Sequence, residues 1–105
     1  MKFMRLIVMF DLPVKTKKQS KEATAFRNFL LKDGFYMVQY SIYARVCNGQ
    51  DSVLTHKNRI KSSIPSNGSI RVLTITEKQY ENIDILIGEK QKYDKNANYE
   101  LISFF

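Results

Sequence analysis

The chain has 105 residues, 44% of them hydrophobic and 26% charged, and a net charge of +7 at neutral pH. That is the size and balance of one globular domain, which excludes a disordered chain and leaves no room for a second catalytic domain. The single cysteine, Cys47, excludes an internal disulfide. The longest N-terminal apolar run, Leu6–Phe10, is too short for a secretory signal or a membrane span, so a cytoplasmic protein with no membrane contact is expected.

The charge is uneven. Residues 1–32 carry eight Lys/Arg and two acids, residues 33–76 five and two, and residues 77–105 four and six. A basic first two-thirds predicts a polyanionic partner such as nucleic acid, and a mildly acidic tail predicts a protein neighbour.

In chain order, Phe3–Phe10 predicts a strand that is apolar on both faces and therefore central in a covered sheet. Asp11-Leu12-Pro13 ends it, because proline cannot continue a central ladder. A helix from about Thr16 to Asp33 follows, with Thr16 and Gln19 at capping-box spacing, a buried stripe of Ala23, Phe26, Phe29 and Leu30, and Gly34 as its stop. Phe35–Gln39 and Ser41–Cys47 read as two short strands, then Asn48-Gly49 as a turn. Asp51 is the expected cap of a second helix reaching Ser63, with Val53, Leu54, Ile60 and Ile64 facing inward. Ser69–Thr76 is a further alternating strand, and Thr76 with Gln79 has the spacing to cap one short helical turn.

The order β-α-β-β-α-β predicts an α+β, ferredoxin-like core over residues 1–80. Residues 81–105 read as an extension of the same domain, with strands expected at Ile83–Ile87 and Tyr99–Phe104 and an exposed polar loop at Glu89–Asn98. Two helices cover one face of such a sheet. The other face is expected to carry Phe3, Ile7, Met9, Tyr43, Leu73 and Ile75, too apolar to stay wet. A homodimer through the sheet faces, with help from the C-terminal strands, is the expected solution.

Asp11 stands at the carboxyl end of that central strand and shares the parity of Ile7 and Met9. One carboxylate is a poor Mg²⁺ site. Two copies of Asp11 across a dimer are a plausible holder of Mg²⁺ or Mn²⁺ against a phosphate; the plainer reading is an acid that organises the turn before Pro13. Lys15, Lys17, Lys18, Lys21 and Arg27 form the next constellation. Lysines at a helix start oppose the helix dipole, so phosphate contact or a solvated face must account for them. Arg5, Arg45 and Arg71 fall on strands and need anionic partners. His56, the only histidine, reads as a residue on the outer face of the second helix, and Cys47 as a small packing residue. Ser41 and Tyr43 offer hydroxyls. No phosphate loop, zinc spacing or Ser-His-Asp arrangement is present in the sequence.

The segments Arg5-Leu-Ile-Val-Met-Phe-Asp11-Leu-Pro13, Phe29-Leu-Leu-Lys-Asp-Gly34 and above all Val38-Gln-Tyr-Ser-Ile-Tyr43 resemble the CRISPR-associated protein family Cas two. Leu73-Thr-Ile-Thr-Glu-Lys-Gln79 is similar to its type II version. The resemblance runs in order over nearly the whole chain. It implies a ferredoxin-like homodimer that holds double-stranded DNA between CRISPR integrase dimers during spacer acquisition. It also implies metal-dependent endonuclease activity on RNA or DNA, with Asp11 of each subunit as catalytic acid and metal ligand and Phe10, Ser41 and Tyr43 in support. Two positions depart from the family pattern: Phe10 replaces a frequent tyrosine, and Met37 a frequent basic residue. Both bear on cleavage and neither on the scaffold role. A ferredoxin-like toxin endoribonuclease acting without an integrase is the alternative.

Overall fold

The computed structural model describes residues 2–88, and the strand expected at Tyr99–Phe104 lies outside them. The elements are β1 (Met4–Asp11), α1 (Lys17–Lys32), β2 (Tyr36–Gln39), β3 (Ile42–Cys47), α2 (Gln50–Lys61), β4 (Ser69–Thr76) and α3 (Glu77–Glu81). The four strands form one antiparallel sheet in the order β2-β3-β1-β4. The two-sided apolar strand β1 is thus central, as its sequence requires.

Local chemistry sets the helix starts. Thr16 caps α1, its hydroxyl accepting from the Gln19 N–H at 3.1 Å while the Gln19 side chain accepts from the Thr16 N–H at 3.1 Å. Thr76 and Gln79 repeat the device on α3. The start of α2 departs from expectation: Gly49 is its N-cap, and Asp51 sits inside the first turn. Asp51 still favours the helix there through the dipole.

One face of the sheet is packed by α1 and α2. Met4, Leu6, Val8 and Phe10 of β1 meet Phe26 and Leu30 of α1 and Val53 and Ile60 of α2. Leu54 and Ile64, expected inward on α2, are exposed, and His56 is buried in their stead. Tyr43 also belongs to this core. It pairs with Val8 in register, which puts it on the helix side and not on the opposite face. Phe10 stacks against Tyr43 at 5.6 Å between ring centroids and meets Phe26 edge-on at 5.3 Å.

The opposite face is half covered by the chain itself. Ile7, Ala44 and Tyr80 of α3 form a second apolar cluster, flanked by Met9, Tyr36, Ile42 and Ile75. The anchor is Arg5, fully buried in β1. Its Nε and Nη2 donate to the two carboxylate oxygens of Glu77 at 2.5 and 2.9 Å, Nη1 donates to the Tyr36 hydroxyl at 2.5 Å, and the guanidinium lies 4.3 Å from the Tyr80 ring centroid. Burial pulls the Arg5 pKa down, but the Glu77 hydrogen bond and the tyrosines outweigh it, and the net shift is up. The anionic partner that Arg5 needs is therefore an acid of its own chain.

Because β4 runs antiparallel to β1 and pairs Thr76 with Met4, α3 lies over the Met4 end of the sheet. Among the described residues the Asp11 end stays open, with Leu73 and Arg71 exposed. Ile83–Ile87, expected as a strand, is not one. Ile83, Ile85, Leu86 and Ile87 are exposed, and no neighbouring strand pairs with them among the described residues. Apolar alternation makes a strand only when a ladder partner is present.

Candidate functional site

Asp11 is the last residue of β1, paired in register with Ser69 of β4, and it is exposed. Among the described residues no hydrogen bond or ion pair engages its carboxylate. Two neighbours fix its backbone. The two-residue turn Tyr40–Ser41 between β2 and β3 carries Ser41 at φ 64°, and the Ser41 carbonyl accepts from the Phe10 N–H at 3.0 Å. On the other side Gly68, at φ 111°, approaches so closely that a Cβ there would stand 2.8 Å from the Asp11 carbonyl oxygen. The acid is thus held at a defined place on the rim of the sheet.

The other supporting candidates have structural roles. Phe10 and Tyr43 are core residues on the helix side, so neither side chain reaches the rim where Asp11 lies. Ser41 contributes through its carbonyl and its left-handed turn.

Lys15, Lys17, Lys18 and Lys21 are all exposed and lie in the connection after Asp11 and the first turns of α1; Arg27, further along, is half-buried. The one acid within this stretch of α1, Glu22, is engaged elsewhere. It accepts from the Ser66 N–H at 2.9 Å and from the Ser66 hydroxyl, and these bonds hold its carboxyl below the usual range. Lys18 approaches it only at 3.9 Å. The start of α1 therefore keeps its positive charge, four to ten residues along the chain from Asp11.

Among the described residues one chain brings Asp11 alone as a carboxylate to this rim, whereas Mg²⁺ takes about six oxygen ligands. Among the described residues no three His, Cys, Asp or Glu side chains cluster to hold a metal. A cation at Asp11 would need oxygens from a second copy, a phosphate or water. Among the described residues no helix is long and apolar enough to cross a membrane.

A second polar cluster escapes sequence reasoning. At the far end of α1, Asp33 Oδ2 lies 2.7 Å from His56 Nδ1 and Asp33 Oδ1 accepts from Arg59 Nη1 at 2.8 Å. Arg45 is buried beside them, donating to the carbonyls of Asp33 and Val46, with Nη1 3.3 Å from His56 Nδ1. His56 is therefore a buried residue with an acidic partner and not a surface one. Burial lowers its pKa, and the Arg45 and Arg59 charges add to that against the opposing pull of Asp33. Asp33 and His56 lie 23 positions apart, a spacing with no sequence signature.

The family model of the CRISPR associated protein Cas2 matches residues 4–83. The chain belongs to the Cas2 family. Its relatives include a CRISPR-associated endoribonuclease Cas2 from Acidovorax ebreus, 44% identical over 97% of this chain and 100% of that one. Another, of the same name, from Ligilactobacillus salivarius is 45% identical over 90% and 93%. A solved structure described as a crystal structure of cas2 superposes with a TM-score of 0.58 at 16% identity, covering 87% of this chain and 92% of that one, a likeness of fold alone. Asp11, the Tyr40–Ser41 turn and Gly68 all fall inside the matched Cas2 segment.

Proposed function

We propose that this Cas2-family chain is a ferredoxin-like homodimer, formed through the open sheet face with help from residues 81–105. On this reading it holds double-stranded DNA for the CRISPR integrase during spacer acquisition, and paired Asp11 carboxylates give it a metal-dependent endonuclease activity on RNA or DNA. The carrying observation is the placement of Asp11: exposed, fixed in its backbone and unpartnered among the described residues, at the one end of the sheet that α3 leaves open. The relatives' name supports cleavage of RNA, and the exposed apolar side chain of Leu73 on that face, with those of Ile83 and Ile85 after α3, supports an apolar partner.

In this reading the exposed lysines at the start of α1 bind the polynucleotide backbone without reading sequence, so affinity falls steeply with salt. The two Asp11 carboxylates would hold Mg²⁺ or Mn²⁺. When bound, the cation supplies charge neutralisation of the phosphate and a more acidic water. Phe10 and Tyr43 keep the strand end rigid from the core side, and Gly68 and Ser41 hold the Asp11 backbone in place.

The test compares wild type with Asp11→Ala for dimerisation by light scattering, for cleavage of RNA and duplex DNA with Mg²⁺, and for integration with the integrase added. Dimerisation intact and cleavage lost is the expected pattern. Cleavage that persists in purified Asp11→Ala protein overturns the catalytic assignment. A stable monomer at micromolar concentration overturns the dimer, and integration that proceeds without this chain overturns the scaffold role.

A further inference from the structure

The turn between β2 and β3 lies at the Asp11 end of the sheet. β3 pairs with β1 from Met4–Cys47 to Met9–Ile42. Carrying that register on sets Ser41 opposite Phe10, where the Ser41 carbonyl accepts from the Phe10 N–H at 3.0 Å, and then brings Tyr40 level with Asp11. The exposed lysines Lys15, Lys17 and Lys18 belong to the same end, because α1 starts where β1 stops.

Tyr40 is 83% exposed. Every other aromatic side chain among the described residues is buried or half-buried. The core therefore makes no use of this ring. Turn geometry does not call for it either, since such positions favour Gly, Asn, Asp, Pro or Ser. Ser41 takes the left-handed conformation, at φ 64°, which is costly for a residue with a side chain. The bond from Phe10 ties the turn to β1, so the ring stands on a fixed backbone. Tyrosine also has only two side-chain torsions to freeze when it binds something.

An exposed ring beside exposed lysines is a combination suited to single-stranded nucleic acid: the lysines meet phosphates, and the ring offers a flat face to a base. In a duplex the base faces are already stacked on one another, so only an unpaired nucleotide can use that face. We propose that Tyr40 is a stacking platform for one unpaired nucleobase, of RNA or DNA, and that it makes the Asp11 end distinguish single strands from duplex. This rests on the reading of that end as the polynucleotide face. The ring adds a contact to the base that the lysines, which reach only the backbone, do not supply.

The test is binding in EDTA, which needs neither metal nor cleavage and so does not depend on the catalytic assignment of Asp11. Fluorescence anisotropy at fixed ionic strength compares a short oligodeoxyuridylate with a strand of equal length that keeps its sugars and phosphates but has no bases. Wild type should bind the strand with bases about fivefold to a hundredfold more tightly. Tyr40→Ala and Tyr40→Leu should lose that margin and Tyr40→Phe should keep it, because stacking needs the ring and neither the hydroxyl nor mere apolar bulk. Affinity for duplex DNA should be alike in all four proteins. Wild type binding both strands equally, or Tyr40→Leu keeping the margin, overturns the proposal. If duplex is still bound in that case, the polynucleotide reading stands without it; if no strand is bound, both fall. A Tyr40→Ala protein that no longer dimerises in light scattering assigns the ring to a subunit contact and overturns the proposal as well. A matched oligouridylate identifies the source: tighter binding than the deoxy strand assigns RNA, weaker binding assigns DNA, and equal binding assigns a ring that takes either.

Discussion

The buried pair Arg5–Glu77 joins β1 to α3 across 72 residues, and its removal is the most direct test of how the second sheet face is held. Glu77→Ala takes away both carboxylate oxygens and leaves a fully buried guanidinium with the Tyr36 hydroxyl and the Tyr80 ring. Breaking one side of a buried ion pair costs about 3–5 kcal/mol. A domain of this size has a total stability of roughly 5–15 kcal/mol, so about a fifth or more of it would go. At about 4 °C per kcal/mol for ~100 residues, Tm should fall by roughly 12–20 °C.

The control is to replace both partners. Arg5→Met with Glu77→Leu removes the pair without leaving a buried charge, and such swaps are often neutral. The double variant should therefore recover most of the loss, a coupling that a double-mutant cycle from urea unfolding measures directly. A loss below about 1 kcal/mol for Glu77→Ala is the behaviour of a surface pair and would refute the reasoning. So would a double variant as unstable as the single one.

Gly68→Ala forces a side chain into a left-handed residue and against the Asp11 carbonyl. It should cost about 1–3 kcal/mol by urea unfolding, and should lower any Asp11-dependent cleavage more than DNA binding. Thr16→Ala removes half of the α1 capping box, worth about 1 kcal/mol in a thermal melt, with no effect on the α3 end of the sheet. The His56 pKa is lowered in the folded chain, chiefly by burial. The unfolded chain therefore takes up this proton first, so the His56 contribution is complete above about pH 6.5 and declines as pH falls below it. Urea midpoints measured from just above to just below that value should drop for wild type and be flatter for His56→Gln.

The parts legible in the sequence are those fixed by neighbours along the chain. The capping boxes at Thr16 and Thr76, the stripe of Ala23, Phe26 and Leu30, and the two-sided apolar strand β1 each follow from spacings of two to four residues, and the structure has them all. Errors begin where the decisive partner is remote. Tyr43 lands on the helix side because β3 pairs it with Val8, and a register choice that flips a strand's faces is invisible in the strand itself. His56 lies among polar neighbours in sequence, so nothing local announces Asp33 and Arg45 around it. Ile83–Ile87 has the alternation of a strand and lacks the partner that would make it one among the described residues. For the site, the strand end and the parity of Asp11 were readable, whereas the pinning of its backbone by Gly68 was not, since it depends on a loop 57 residues away.

The placement of α3 bears on why an acid at the end of β1 suits a paired site. Glu77 follows β4 without a linker, so the short helix must fold back over the end of the sheet where β4 finishes, which antiparallel pairing makes the Met4 end. Arg5 fixes it there, and Tyr80 seals Ile7 beneath it. Among the described residues, a second copy approaching this face meets a half covered by α3 and an open half from Met9 to Asp11 with Leu73 and Arg71. Two-fold symmetry then brings like to like: contact confined to that end would set each Asp11 near the shared axis. Two carboxylates so placed repel one another unless protons, arginines or a cation intervene. The exposed Arg71, opposite Met9 in the register, is one cation on that end of the sheet. If the proposed dimer brings the two Asp11 carboxylates together, Arg71 and a bound cation would compete for them.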